Sequence, residues 1–105
     1  MIKMIKKMLG WEQKVDYANL IKQGAIVLDV RTKKEYESGH INGSINIAVN
    51  LLTNHLSKLK DKNKPIITCC ASGMRSGSAK QFLQSNGYTQ VYNGGSWTSL
   101  QIKCK

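Results

Sequence analysis

Pro65-Ile66-Ile67-Thr68-Cys69 runs without a break into Cys70-Ala71-Ser72-Gly73-Met74-Arg75-Ser76. The first five residues read as a buried strand, because Ile, Ile and Thr are β-branched and Pro is tolerated at a strand's first position. The residues that follow are mostly small, and a helix is predicted from Ser76, carrying Ala79, Phe82 and Leu83 inward and stopping at Asn86-Gly87. Strand, tight loop and helix in that order form the unit from which α/β proteins are built. The loop then falls at the carboxyl end of the sheet, where open α/β folds place their ligands.

The same alternation extends in both directions. Towards the N-terminus, Asp16 is placed to cap a helix through Tyr17, Leu20 and Ile21 that Gly24 terminates, and Ala25 to Val30 is a second buried strand. Thr32 followed by Glu35 makes a capping box for a helix over Lys33 to Glu37, and Ser44 to Ile47 reads as a short strand. Leu51, Leu52, His55, Leu56 and Leu59 recur at helical spacing. Towards the C-terminus, Val91-Tyr92 is a last short strand before Gly94-Gly95, and Trp97 with Leu100 predicts a closing helical turn. The expected architecture is α/β, a small parallel β-sheet with helices on both faces. Residues 1–14 read as a basic lead-in and residues 15–105 as one domain.

Composition narrows the class. The chain has 105 residues, 41% of them hydrophobic, a content too high for intrinsic disorder. No apolar run approaches the roughly 20 residues of a membrane span. Sixteen Lys and Arg against six Asp and Glu give a formal net charge of +10. Lys58, Lys60, Lys62 and Lys64 crowd into one stretch, but no run interleaves basic residues with aromatics as a base-stacking surface does. The surplus reads first as a solvated surface and second as a field that steers small anions; nucleic acid is not an expected partner. The start, Met1 to Leu9, is basic and faintly amphipathic, too interrupted by lysine for a signal peptide, with a weak membrane-surface role as its functional reading.

Three cysteines, Cys69, Cys70 and Cys104, make a poor disulfide framework, and neither His40 nor His55 completes a metal-ligand spacing. No metal is expected, and a reducing cytoplasm is the expected compartment. The loop after Cys70 supplies something else. Gly73 is free to take φ > 0, so successive backbone N–H groups of the loop can turn inward above the start of the helix at Ser76. A cysteine at the centre of such a cradle, beside Arg75, is held as thiolate without a general-base histidine.

These residues resemble the rhodanese-like domains. The resemblance spans Val15 to Trp97 and rests on Leu28-Asp29-Val30-Arg31 with Glu35-Tyr36, on Gly39-His40-Ile41 with Gly43 to Ile47, on Cys70 to Ser76, and on Gly87-Tyr88, Val91 to Gly95 and Trp97. It implies sulfur transfer through a persulfide on Cys70, with no cofactor. The donor would be thiosulfate or a protein persulfide, and the acceptor cyanide or a thiol. Ala71, Ser72, Gly73, Met74, Arg75 and Ser76 would bind substrate, with Arg75 contacting an anionic donor. Asp29 and Arg31 would organise the rim structurally, His40 would be a hydrogen-bonded loop residue, and Trp97 would belong to the core. Asn42 and Ala48 stand where prolines are usual.

Two alternatives stay open at this level. Counted from Cys69, the spacing to Arg75 becomes Cys-x5-Arg, the loop length of cysteine phosphatases and arsenate reductases, although Thr68 stands where phosphatases usually have His and the general-acid aspartate is unassigned. A non-catalytic member would instead use its basic surface to dock an acidic protein. Cys104, between Lys103 and Lys105, is expected to be mobile and exposed with its thiolate favoured. It reads as a spare thiol, as a sulfur acceptor, or as a disulfide partner of Cys70.

Overall fold

The computed structural model describes residues 14–105; the readings made on Met1 to Leu9 and on the lead-in before Lys14 lie outside it. Helix α1 (Tyr17–Lys22) leads into strand β1 (Ile26–Asp29), followed by helix α2 (Lys33–Glu37) and strand β2 (Ile45–Asn46). Two 3-10 segments (Val49–Asn54 and Leu56–Lys58) precede strand β3 (Ile66–Cys70) and helix α3 (Met74–Ser85). Strand β4 (Val91–Ser96) and helix α4 (Trp97–Lys103) complete the order. The strands form one sheet in the order β2-β1-β3-β4 with every pairing parallel, so all carboxyl ends lie along the same edge.

The helix caps are the predicted ones. Asn19 N–H donates to the Asp16 carboxylate at 3.0 Å to start α1. The Thr32 box is closed in both directions, Glu35 N–H to Thr32 Oγ1 at 3.2 Å and Thr32 N–H to Glu35 Oε1 at 2.9 Å.

Because side chains alternate across a strand, the sheet separates its core into two layers. Leu28, Ile66 and Cys70 face a layer built with Ala79 and Leu83 of α3 and with Leu52 and Leu59. Val27, Ile67 and Cys69 face the other, with Leu100 of α4 and the partly buried Leu20 and Ile21 of α1. Each fully buried leucine contributes on the order of 2 kcal/mol of apolar burial. Helices therefore cover both faces, as the alternation of elements predicts.

Local departures from the sequence reading have physical causes. Strand β3 runs one residue further than predicted, through Cys70, and α3 begins two residues earlier, at Met74. The reason is Gly73, whose φ of +99° turns the chain abruptly enough for Gly77 N–H to reach Gly73 O at 3.0 Å as an opening helical bond. Strand β4 continues through Gly94-Gly95. Its register against β3 shifts between Thr68 and Cys70, and a Cβ at Gly94 would lie 2.8 Å from Leu100 and 2.9 Å from Ile67 and from the Thr68 carbonyl, so glycine is what lets the strands close there. The segment around Leu51 to Leu59 winds as 3-10 turns instead of the predicted helix. It has no side-chain cap, and Thr53, Asn54 and His55 are weak helix formers, so burying Leu52 and Leu59 sets its path.

Cys104 departs furthest from expectation. It is the C-cap of α4 and half-buried against the layer that contains Cys69, and burial pushes its thiol up instead of favouring the thiolate. It sits across the sheet from Cys70. The exposed, activated thiol expected from its lysine neighbours is not what the fold makes of it, and a disulfide with Cys70 would have to cross the sheet.

Candidate active site

Cys70 ends β3 at the carboxyl edge of the sheet, and the loop after it, through Ser76, turns around its sulfur. Gly73 N–H donates to Sγ at 3.0 Å and Ser76 N–H at 3.3 Å, while the Ser76 hydroxyl oxygen lies 3.4 Å away. Burial is the largest influence on this thiol and pushes it up. The Ser76 hydroxyl and the backbone N–H groups of Ser76, Gly73 and Ser72 together outweigh it, so the thiol lies below its ordinary value. The start of the twelve-residue helix α3 adds its dipole in the same sense.

The cradle is held from outside as well. Thr68 Oγ1 donates to Ser76 O at 2.9 Å, tying the first turn of α3 to the middle of β3. Asn93, on β4, receives the Ser76 hydroxyl at 2.6 Å and Gly95 N–H at 3.0 Å on its Oδ1, and its Nδ2 donates to Gly73 O at 3.2 Å. Asn93 lies in the Val91 to Gly95 stretch of the resemblance, but the sequence reading gives it no role in the site. Its place just before Gly94-Gly95, at the same carboxyl edge, is the signal that finds it.

The remaining predicted residues fall around this centre. Asp29 and Arg31 are both buried and form a forked pair, Arg31 Nη2 to Asp29 Oδ2 at 2.7 Å and Nε to Oδ1 at 2.9 Å. Arg31 also donates to Gly39 O at 2.7 Å and Glu35 O at 3.2 Å and lies over the Trp97 ring at 4.7 Å. The pair thus fastens α2 and the Gly39 turn to the end of β1. Such a buried pair fixes geometry more than it adds stability. His40 Nδ1 donates to Tyr36 O at 2.7 Å, with the two rings stacked 3.7 Å apart. Trp97 is half-buried in the α1/α4 layer. Ala71 and Ser72 are exposed, and Met74 is 80% exposed, a high value for so apolar a side chain.

Arg75 stands on the first turn of α3, but its guanidinium is engaged. Nη1 donates to Glu35 Oε1 at 2.8 Å and Nη2 to Oε2 at 3.0 Å, both side chains being somewhat more than a third exposed. The Arg75 bonds foremost, then those from Thr32, hold the Glu35 carboxyl down at about 2. In the sequence Glu35 is visible as the second half of a capping box and, with Tyr36, as part of the resemblance; its reach to Arg75 depends on how α2 and α3 pack.

Cys69 faces the other way. It is fully buried in the α1/α4 layer, and burial, seconded by the nearby Asp29, pushes its thiol up to about 12. The donors that surround Cys70 are on the opposite side of the strand, so a loop counted from Cys69 has no cradle. Lys60, Lys62 and Lys64 are exposed and precede β3, at the end of the strand opposite Cys70. Lys62 lies 5.5 Å from the Tyr88 ring. Five strand residues span about 13 Å, more than the screening length of about 10 Å at 0.1 M salt. Among the described residues no helix is long and apolar enough to cross a membrane, and no group of His, Cys, Asp and Glu is arranged to hold a metal ion.

Known proteins fit this arrangement. The family model described as "Rhodanese-like domain" matches residues 13–101. The uncharacterized protein YqhL of Bacillus subtilis is 39% identical over 69 residues, covering 66% of this chain and 54% of that protein. Thiosulfate sulfurtransferase PspE of Escherichia coli is 36% identical over 69 residues, covering 65% of this chain and 66% of that protein. The chain thus spans between half and two thirds of the length of these relatives. Among solved structures, a rhodanese with anions from E. coli superposes with a TM-score of 0.67 at 32% identity, covering 72% of this chain and 91% of that one.

Proposed function

The chain belongs to the rhodanese-like domain family, and on that premise we propose that it is a sulfurtransferase whose Cys70 carries the sulfur. The Cys70 thiolate attacks the outer sulfur of a donor, thiosulfate or a persulfide. A new S–S bond forms at Cys70, the donor's S–S bond breaks, and the leaving group, sulfite or a thiolate, departs with the electron pair. An acceptor, cyanide or a thiol, then attacks the outer sulfur of the Cys70 persulfide and returns Cys70 as thiolate. The chemistry asks for no cofactor, because the sulfur travels on the protein. It does require a reduced Cys70, which fits a cytoplasmic setting.

One observation carries this reading: the backbone N–H groups of Gly73 and Ser76 converge on a single sulfur at the end of β3. They stabilise the thiolate before attack, and the same inward-facing donors suit an outer sulfur bearing negative charge. No histidine base is needed, since the thiol already lies below its ordinary value. The relatives named thiosulfate sulfurtransferase support the same chemistry.

Intact mass spectrometry after incubation with thiosulfate tests it. A gain of one sulfur atom on Cys70, removed by cyanide with thiocyanate released, is the expected result. A protein that takes up no sulfur from thiosulfate or from glutathione persulfide would overturn the proposal and leave a docking module.

A further inference from the structure

The charge around the cradle differs from what an arginine beside a catalytic cysteine promises. The chain has only two arginines, and both are committed to carboxylates, Arg31 to the buried Asp29 and Arg75 to Glu35. The Glu35 carboxylate is itself fixed, since it also receives Thr32 N–H at 2.9 Å and Thr32 Oγ1 at 3.1 Å. Among the described residues the arginine beside Cys70 is therefore half of a neutralised pair, and the Lys60 to Lys64 cluster stands at the other end of β3. The rim carries Ala71 and the largely exposed Met74, surfaces suited to carbon and not to sulfonate oxygens.

The two donor classes make different demands on such a site. Attack of the Cys70 thiolate on thiosulfate gathers three negative charges at the cradle, one from the thiolate and two from the donor, and releases sulfite. Attack on an organic hydropersulfide, R–S–SH, brings one charge. It forms Cys70–S–SH, breaks the donor's S–S bond, and sends the electron pair out with R–S⁻, with no net oxidation or reduction. Resting on the sulfurtransferase reading, we infer that the Glu35–Arg75 pair sets donor specificity, and that the site is built for organic hydropersulfides in preference to the thiosulfate dianion. Glu35 withholds from the donor the cation that a dianion requires. The apolar rim receives the R group.

The test measures kcat/KM for sulfur loading of Cys70 with the hydropersulfide of N-acetylcysteine methyl ester, whose R group carries no charge, and with thiosulfate, in the wild type, in Glu35→Gln and in Glu35→Gln/Arg75→Gln. Wild type is expected to favour this hydropersulfide by about tenfold or more. Glutamine preserves an oxygen for the Thr32 cap while removing the charge. Glu35→Gln should then raise kcat/KM for thiosulfate by about tenfold, the order of effect of lifting one unit of repulsion from a dianion near a protein surface. It should move the value for the uncharged hydropersulfide by less than about twofold, and added salt should shrink the thiosulfate gain. The double variant should lose that gain, which would assign it to the released Arg75. A wild type that loads faster from thiosulfate overturns the inference, and that ratio needs no variant to fold. So does a folded Glu35→Gln whose thiosulfate value is unchanged or lower. Loading of wild type from neither donor is the distinct result that removes the sulfurtransferase reading itself.

Discussion

Cys69 and Cys70 are consecutive, both wholly hidden from solvent, yet the thiol of one is pushed up to about 12 while that of the other lies below its ordinary value. Burial raises both. What separates them is the alternation of the strand, which aims Cys69 into an apolar layer and Cys70 at a ring of N–H donors. A cysteine's chemistry is thus fixed by which face of the sheet it takes and by the polar atoms waiting there. Shelter from water does not decide it.

Exchanging each cysteine in turn is the strongest way to break this contrast. Cys70→Ala is expected to reduce sulfur transfer to background with the fold retained. Cys69→Ala should keep most of the activity and cost about 1–2 kcal/mol of stability, read from the denaturation midpoint. Activity that survives the first substitution and vanishes with the second would reverse the assignment.

A finer probe removes the Ser76 hydroxyl beside the sulfur and leaves the cysteine. The thiolate of Cys70 persists to lower pH because hydrogen bonds favour the charged form. Ser76→Ala should therefore move the pH midpoint of iodoacetamide alkylation upward and slow alkylation at neutral pH by about tenfold, the scale of one hydrogen bond to a charged group. A midpoint that stays in place would show that the backbone N–H groups suffice alone.

The smallest effect is expected from the other end of β3. Reversing Lys60, Lys62 and Lys64 to glutamate should change kcat/KM for thiosulfate by less than about twofold at 0.1 M salt, because that separation exceeds the screening length. A larger drop would restore the steering role that the lysine count suggests.

Much of this was legible in the sequence, and the unreadable parts share a cause. Caps and turn glycines act over three or four residues, so Asp16, the Thr32–Glu35 box and Gly73 could be placed from local pattern. The two-sided sheet followed from β-branched runs alternating with helical spacing. The 3-10 path of residues 49–58 was not legible, because a leucine spacing of three and four serves either winding once tertiary burial decides. The Glu35–Arg75 and Ser76–Asn93 bonds join residues 40 and 17 positions apart, a distance at which pattern carries no information. Cys104 misled for the same reason: its lysine neighbours along the chain are exposed, but α4 turns its own side chain towards the core.

The loop also divides labour in a way that bears on how such a site can change over time. The atoms that hold the Cys70 sulfur are mostly main-chain, supplied whatever side chains stand at positions 71, 72 and 74. Those three side chains point to solvent, where an incoming molecule meets them first. Substitution there can retune who is recognised without rebuilding the reactive centre, so the chemistry is inherited through backbone shape while the clientele is free to diverge.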